Sequence, residues 1–218
     1  MENLPEYRVS RLEKDLPLPG EPSFWSTIPF LKIDHYLWLD NGYRPRVDVR
    51  LCASARNLYV HFDVFEAKIR VQFTRFQDPV YKDSCVEMFV DPFPEKRLGY
   101  VNVETNAAGA ALVAIGPDRS RRTPISLSDL EGFEAVSSVK GSVFGYHGAE
   151  LWTLSYRLPL SAFEKCYGAK IGPGQSARAN FYKCGDETET PHFGAWSPIK
   201  TPQPDFHRPE FFGRLVFL

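Results

Sequence analysis

The feature that most constrains this chain is a two-residue alternation running, with one break, from Val47 to Val64. Val47, Val49 and Leu51 fall on one face and Asp48 and Arg50 on the other; after a break at 54–57, Leu58, Val60, Phe62 and Val64 resume the pattern. Apolar residues at every second position line one side of a pleated strand and cannot form a helical stripe. The segment therefore reads as a β-hairpin.

The same period recurs along the chain. In 85–91, Val86, Met88 and Val90 share one face while Cys85, Glu87 and Phe89 share the other. In 100–106, Val101 and Val103 point inward, and Tyr100, Asn102, Glu104 and Asn106 point outward. Further strands are expected at 7–12, 110–115, 133–139, 149–158 and 176–184, with a Gly-rich turn at 141–148 and an irregular strand within 68–76. The one helical signal is PLSAFEKCYG, closed by Gly168. About ten short strands with regular turn breaks specify an all-β fold, a two-sheet antiparallel sandwich or a closed barrel, with one short helix. No linker or internal repeat divides the 218 residues, so a single domain over 1–218 is expected. Residues 1–40 form its irregular N-terminal lead-in, with Trp25 and Trp38 plugging the end of the core.

Composition removes several classes of function. With 26 basic against 27 acidic residues the formal net charge is -1, so no long-range field draws the chain to nucleic acid or to an anionic membrane. The basic cluster at 119–122 reads as a solvated loop. Cys52, Cys85, Cys166 and Cys184 are too scattered for a zinc ribbon or a redox C-x-x-C, and Cys52 and Cys85 read as buried free thiols, with disulfides left open. The N-terminus MENLPEYRVSRLEKD has no apolar signal core, and no segment reaches the length of a membrane span. As written the chain is expected to be soluble and cytoplasmic, or secreted or periplasmic if a signal was trimmed.

Two features point toward a ligand. Glu87 sits mid-strand between apolar neighbours, so it lies either on a solvated face or in a concavity that accepts hydrogen-bonding ligands. The last forty or so residues, from Asn180 to Leu218, place Trp196, His192, His207 and several Phe in irregular, Pro-rich sequence. Aromatic surface on a loop either packs back onto the body or waits for a ligand.

Taken together, YKDSCVEMFVDP, YVNVETNAAG, ELWTLSYRLPLSAF, ARANFYKCGD and AWSP with DFHRPEFFGRLVF resemble the family 9 carbohydrate-binding modules and their DOMON-like relatives. The resemblance implies a β-sandwich of jelly-roll type that holds a mono- or oligosaccharide between two aromatic rings without catalysis. Tyr81 then corresponds to the first stacking aromatic and Trp196 to the second, Glu87 to a ligand-contacting carboxylate and Asn106 to an amide at the end of the next strand. Glu104 stands where well-studied members have Arg, a departure that bears on sugar preference. Asn180, Lys183 and His207 are neighbouring candidates, His207 favouring a structural role. No cofactor is implied. The family admits structural calcium, although no loop here has the acidic spacing of a strong calcium loop.

Two alternatives stand beside this reading. A glycoside hydrolase could use Glu87 with Glu104 or with Asp83 as its carboxylate pair. A haem-binding relative would need Met and His, yet only Met1 and Met88 are present and Met88 patterns inward.

Overall fold

A computed structural model of the chain describes residues 4–139 and 151–218, together with the backbone of 145–147. The strands are β1 (Glu6–Arg11), β2 (Phe30–Ile33), β3 (Arg46–Ala53), β4 (Asn57–Phe65), β5 (Ile69–Val71), β6 (Cys85–Asp91), β7 (Tyr100–Asn106) and β8 (Ala111–Gly116). They continue with β9 (Thr123–Pro124), β10 (Glu134–Ser137), β11 (Gly145–His147), β12 (Trp152–Pro159), β13 (Ser176–Cys184), β14 (Phe193–Ala195) and β15 (Gly213–Phe217). Apart from the backbone of β11, the turn expected at 141–148 lies outside the described residues.

The hairpin read from the alternation is β3–β4, in register Val47↔Val64 and Leu51↔Val60, so the apolar sets of both strands share one face. One hydrogen-bonded path runs β10-β12-β4-β3-β1-β15-β13-β6-β7-β8-β9, with β2 added on β3 and β14 on β13. The fold is all-β, as expected, but the sheet is mixed where a wholly antiparallel sandwich was expected. The first residues of β1 pair in parallel with β15 and its last two pair in parallel with β3. This strand therefore hands over from one arm of the path to the other. The inward sets of both arms meet in a common core that joins Val49, Phe62 and Leu154 to Met88, Val103, Phe181 and Leu215.

Among the described residues two α-helices form where one was expected. The expected one is α2 (Leu160–Tyr167), ended by Gly168 in the left-handed conformation at φ 63, where a Cβ would be strained. The other, α1 (Pro22–Thr27), starts on a proline suited to a first turn and carries Trp25 inward. The Trp25 ring stacks on His61 at 4.7 Å and its Nε1–H donates to the Pro19 carbonyl at 2.8 Å, so the lead-in is anchored and partly regular. Trp38 is tied down likewise, donating to the Thr201 carbonyl at 2.8 Å. All four cysteines are free thiols, and among the described residues no helix is long and apolar enough to cross a membrane.

The β13-β6-β7 arm is buried on both faces. A second apolar cluster covers its outer side, built from Cys85, Phe89, Tyr100 and Tyr182 and roofed by Phe206 and Phe212 of the C-terminal loop. Phe206 lies flat on Tyr182, with centroids 4.1 Å apart. Such ring pairs add about 0.5–1.5 kcal/mol beyond the area they bury. The outward polar row of β7 therefore faces a covered layer, and its carboxylate and amides meet protein instead of bulk water.

Candidate functional site

Where that roof stops, a cavity of about 250 Å³ opens onto the outer face, lined by Tyr81, Glu87, Glu104, Arg119, Arg122, Cys184, Asp186, Phe206 and His207. Its floor follows from strand register. Glu87 on β6 lies directly opposite Glu104 on β7, and Tyr182 on β13 lies on the other side of Glu87. Directly opposed residues in an antiparallel ladder have Cβ atoms about 4.5–5.5 Å apart, so the two carboxyl groups sit side by side.

Both are almost fully buried, at 3% and 2% exposure. Burial raises the Glu87 carboxyl well above the carboxylate range, with the Glu104 charge adding to it. Burial likewise pushes Glu104 up to about 7 against the lowering pull of Arg122. Arg122 donates to Glu104 Oε1 at 3.0 Å and Asn102 Nδ2 donates to the same oxygen at 3.0 Å. The Cys184 thiol donates to Glu87 Oε1 at 3.0 Å. Burial favours the protonated form of Glu87 while Arg122 favours the ionised form of Glu104, so the floor can offer both a donor and an acceptor.

The walls are aromatic and the rim is charged. Tyr81 is half-buried on the turn before β6, facing the loop that carries Phe206. Arg119 bonds Asp205 at 3.1 Å at the rim, and burial pushes Asp186 up to about 6. His207 accepts or donates at Nδ1 to the Tyr100 hydroxyl at 2.7 Å and lies 4.8 Å from the Phe89 ring. Burial and the neighbouring Arg122 push its pKa down to about 3, so it is neutral. It has the structural role favoured from the sequence while also lining the cavity.

The other residues singled out from the sequence lie elsewhere. Trp196 belongs to the inner core, edge-on to Phe181 at 5.7 Å, on the opposite side of the sheet from Glu87. It is 7% exposed and does not line the cavity. Asn106 spends its whole hydrogen-bonding capacity internally: Nδ2 donates to Phe73 O and Asp83 Oδ2, and Oδ1 accepts from the Ala108 and Ala110 amides. Asn180 clamps the chain after β14, donating to Ser197 O and accepting from Ser197 N. Lys183 alternates to the inner face, where its ammonium meets Glu66 at 3.1 Å. Asp83 is held by Arg70, by the Gln72 and Phe73 amides and by Asn106. Met88 is fully buried in the core, out of reach of a haem.

Sequence reasoning missed Arg122, Arg119, Asp186 and Phe206. Arg122 was assigned with its neighbours to a solvated loop, and only the fold of that loop over β7 brings it to Glu104. Three larger hollows, of about 530, 580 and 390 Å³, open beside α2, beside the Pro-rich lead-in and between the 117–120 turn and the 205–210 segment. None of the three gathers buried carboxyl groups with raised pKa values, the combination that marks a ligand site. Among the described residues, one group of three ligating side chains comes together, Cys85, Glu87 and Cys184. Two sulfurs make that set too soft for calcium.

Comparison with known proteins gives a consistent set of matches. The sequence profile of carbohydrate-binding family 9 matches residues 24–217. A crystal structure from Bacteroides uniformis ATCC 8492, described provisionally as a carbohydrate-binding protein, is 33% identical, with a TM-score of 0.86 over 99% of this chain and 100% of that one. A family 9 module from Caldicellulosiruptor kristjanssonii, solved in complex with glucose, shares the fold at 12% identity and a TM-score of 0.63, covering 98% of this chain and 96% of that one. The cellotriose complex from the same organism aligns at 11% identity and a TM-score of 0.63, over 98% of this chain and 93% of the other. No curated protein matches.

Proposed function

Because the chain belongs to carbohydrate-binding family 9, we propose that it binds a saccharide without cleaving it, in the cavity of Tyr81, Glu87, Glu104 and Arg122. The observation that carries this reading is a buried carboxyl pair at the floor of a small cavity with aromatic walls. A pyranose ring has apolar C–H faces that stack on aromatic planes and hydroxyls that need directional partners. Tyr81, half-buried at the rim, supplies such a plane, and Phe206 closes the wall opposite it. The carboxyl pair supplies a donor and an acceptor, and Arg122 adds fixed donors.

The cavity is smaller than the ~300–1,000 Å³ typical of drug-sized ligands, a volume suited to one sugar ring at a chain end. The two arms joined by β1 are read as the two layers of the family's jelly-roll sandwich. Since the Caldicellulosiruptor module was solved with glucose and with cellotriose, short β-glucans are the first ligands to try. Calorimetric titration with glucose, cellotriose and xylotriose tests the reading. Tyr81→Ala removes one stacking plane worth about 1.4 kcal/mol, so the affinity should fall about tenfold. Wild-type affinity in that variant would exclude this cavity.

The ladder geometry favours binding over hydrolysis. A glycosidase holds its carboxyls on either side of the scissile bond, whereas Glu87 and Glu104 occupy neighbouring positions on one wall.

A further inference from the structure

We propose that Cys85, Cys184 and Glu87 form a binding site for a thiophilic divalent cation, zinc foremost, at the inner end of the same cavity. The inference goes beyond saccharide binding and does not depend on it. Strand geometry assembles the three ligands: Cys85 and Cys184 are direct partners across β6 and β13, and Glu87 lies two residues from Cys85, hence on the same face. Their ligating atoms all lie within 4.8 Å of one another.

Tetrahedral zinc with Zn–S about 2.3 Å and Zn–O about 2.0–2.2 Å requires neighbouring ligand atoms roughly 3.5–3.8 Å apart. The group is within a side-chain adjustment of that geometry. Two thiolates with one carboxylate select zinc-like ions over calcium or magnesium. Glu87 and Cys184 line the cavity, so an ion has a route in. Binding expels the two thiol protons, including the one that Cys184 donates to Glu87, and the proton of the Glu87 carboxyl, all released to solvent through the cavity. Two thiolates and a carboxylate around a divalent ion leave one negative charge, faced by Arg122 across Glu104.

Cobalt titration of the full chain, stripped with chelator and reduced, tests the site. One equivalent of Co²⁺ should give a thiolate-to-cobalt charge-transfer band with tetrahedral d–d bands. Zn²⁺ should abolish them and Ca²⁺ should not. Cys85→Ser and Cys184→Ser should each weaken binding at least about a hundredfold, no less than the loss of an outer-shell partner, while Cys166→Ser and Cys52→Ser should not. If the serine variants fail to fold, alkylation of the wild type in sub-denaturing urea, where buried thiols open transiently, replaces them: Zn²⁺ should slow labelling of Cys85 and Cys184, read by mass spectrometry, and leave that of Cys166 unchanged. Absent bands, bands retained in both serine variants, or no protection of Cys184 would overturn the proposal. Sugar titration with and without Zn²⁺ reads the other site function separately, so either can fail alone.

Discussion

Replacing Glu66 with alanine is expected to lower the free energy of unfolding by about 3–5 kcal/mol, the cost of stranding a buried charge. Glu66 is 2% exposed and lies just after β4. Its Oε1 accepts from Lys183 Nζ at 3.1 Å and from the Ser84 hydroxyl at 3.1 Å, and its Oε2 accepts from Trp152 Nε1 at 3.1 Å. The Lys183 ammonium, fully buried, completes its three donations with the Cys184 carbonyl at 2.8 Å and His192 Nε2 at 2.8 Å. His192 can accept because burial, reinforced by the Lys183 charge, pushes its pKa down to about 2 and its Nδ1–H is turned to the Thr190 carbonyl. The network ties β4 and β12 of one arm to β13 of the other. Without Glu66 the ammonium keeps its neutral acceptors and loses its counter-charge. Pairing Glu66→Gln with Lys183→Met should recover most of the loss, because replacing both members of a buried pair is far less costly than removing one. Urea unfolding of the single and double variants checks both statements. A loss below about 1 kcal/mol in Glu66→Ala would mean that the network contributes little.

Trp196→Ala is expected to cost about 3–5 kcal/mol of stability, as large-to-small changes of core aromatics do, and to leave saccharide affinity of the folded protein unchanged. The ring sits against Phe181 and over Gly213, where even a Cβ would come within 2.7 Å of it. Its amide donates to the Phe181 carbonyl at 2.9 Å, so the residue continues the β13–β14 pairing. Trp196→Phe should regain a large part of the loss. Thermal unfolding followed by sugar titration separates the two effects; a stable Trp196→Ala variant that no longer binds sugar would return Trp196 to the site.

The contrast between Trp196 and Tyr81 shows where the sequence is legible. Alternation gives the strands, and it correctly put Val86, Met88 and Val90 together in the core while leaving Glu87 on the other face. It does not say whether the outer face meets water. Here Phe206, Phe212 and Arg122 cover it, and Asn106 and Asn180 spend their amides on hydrogen bonds to Asp83 and to Ser197. An aromatic in a W-S-P turn looks the same whether it faces inward or outward, because irregular backbone has no period from which to read a direction. Cys85 and Cys184 meet only through the β6–β13 register, and Arg122 reaches Glu104 only through the fold of its loop; neither relation has a local signature. The parallel pairing of β1 is equally hidden, since strand direction relative to a distant partner leaves no mark on composition.

The central claim is that the saccharide occupies the cavity floored by Glu87 and Glu104. Crystals soaked with cellotriose and with mixed monosaccharides test it most directly. The account predicts difference density for a sugar ring against Tyr81, with hydroxyls within hydrogen-bonding distance of the Glu87 and Glu104 carboxyls and the Arg122 guanidinium. A ring bound instead beside Trp25 and His61, or in the hollow beside α2, with this cavity empty, would contradict it.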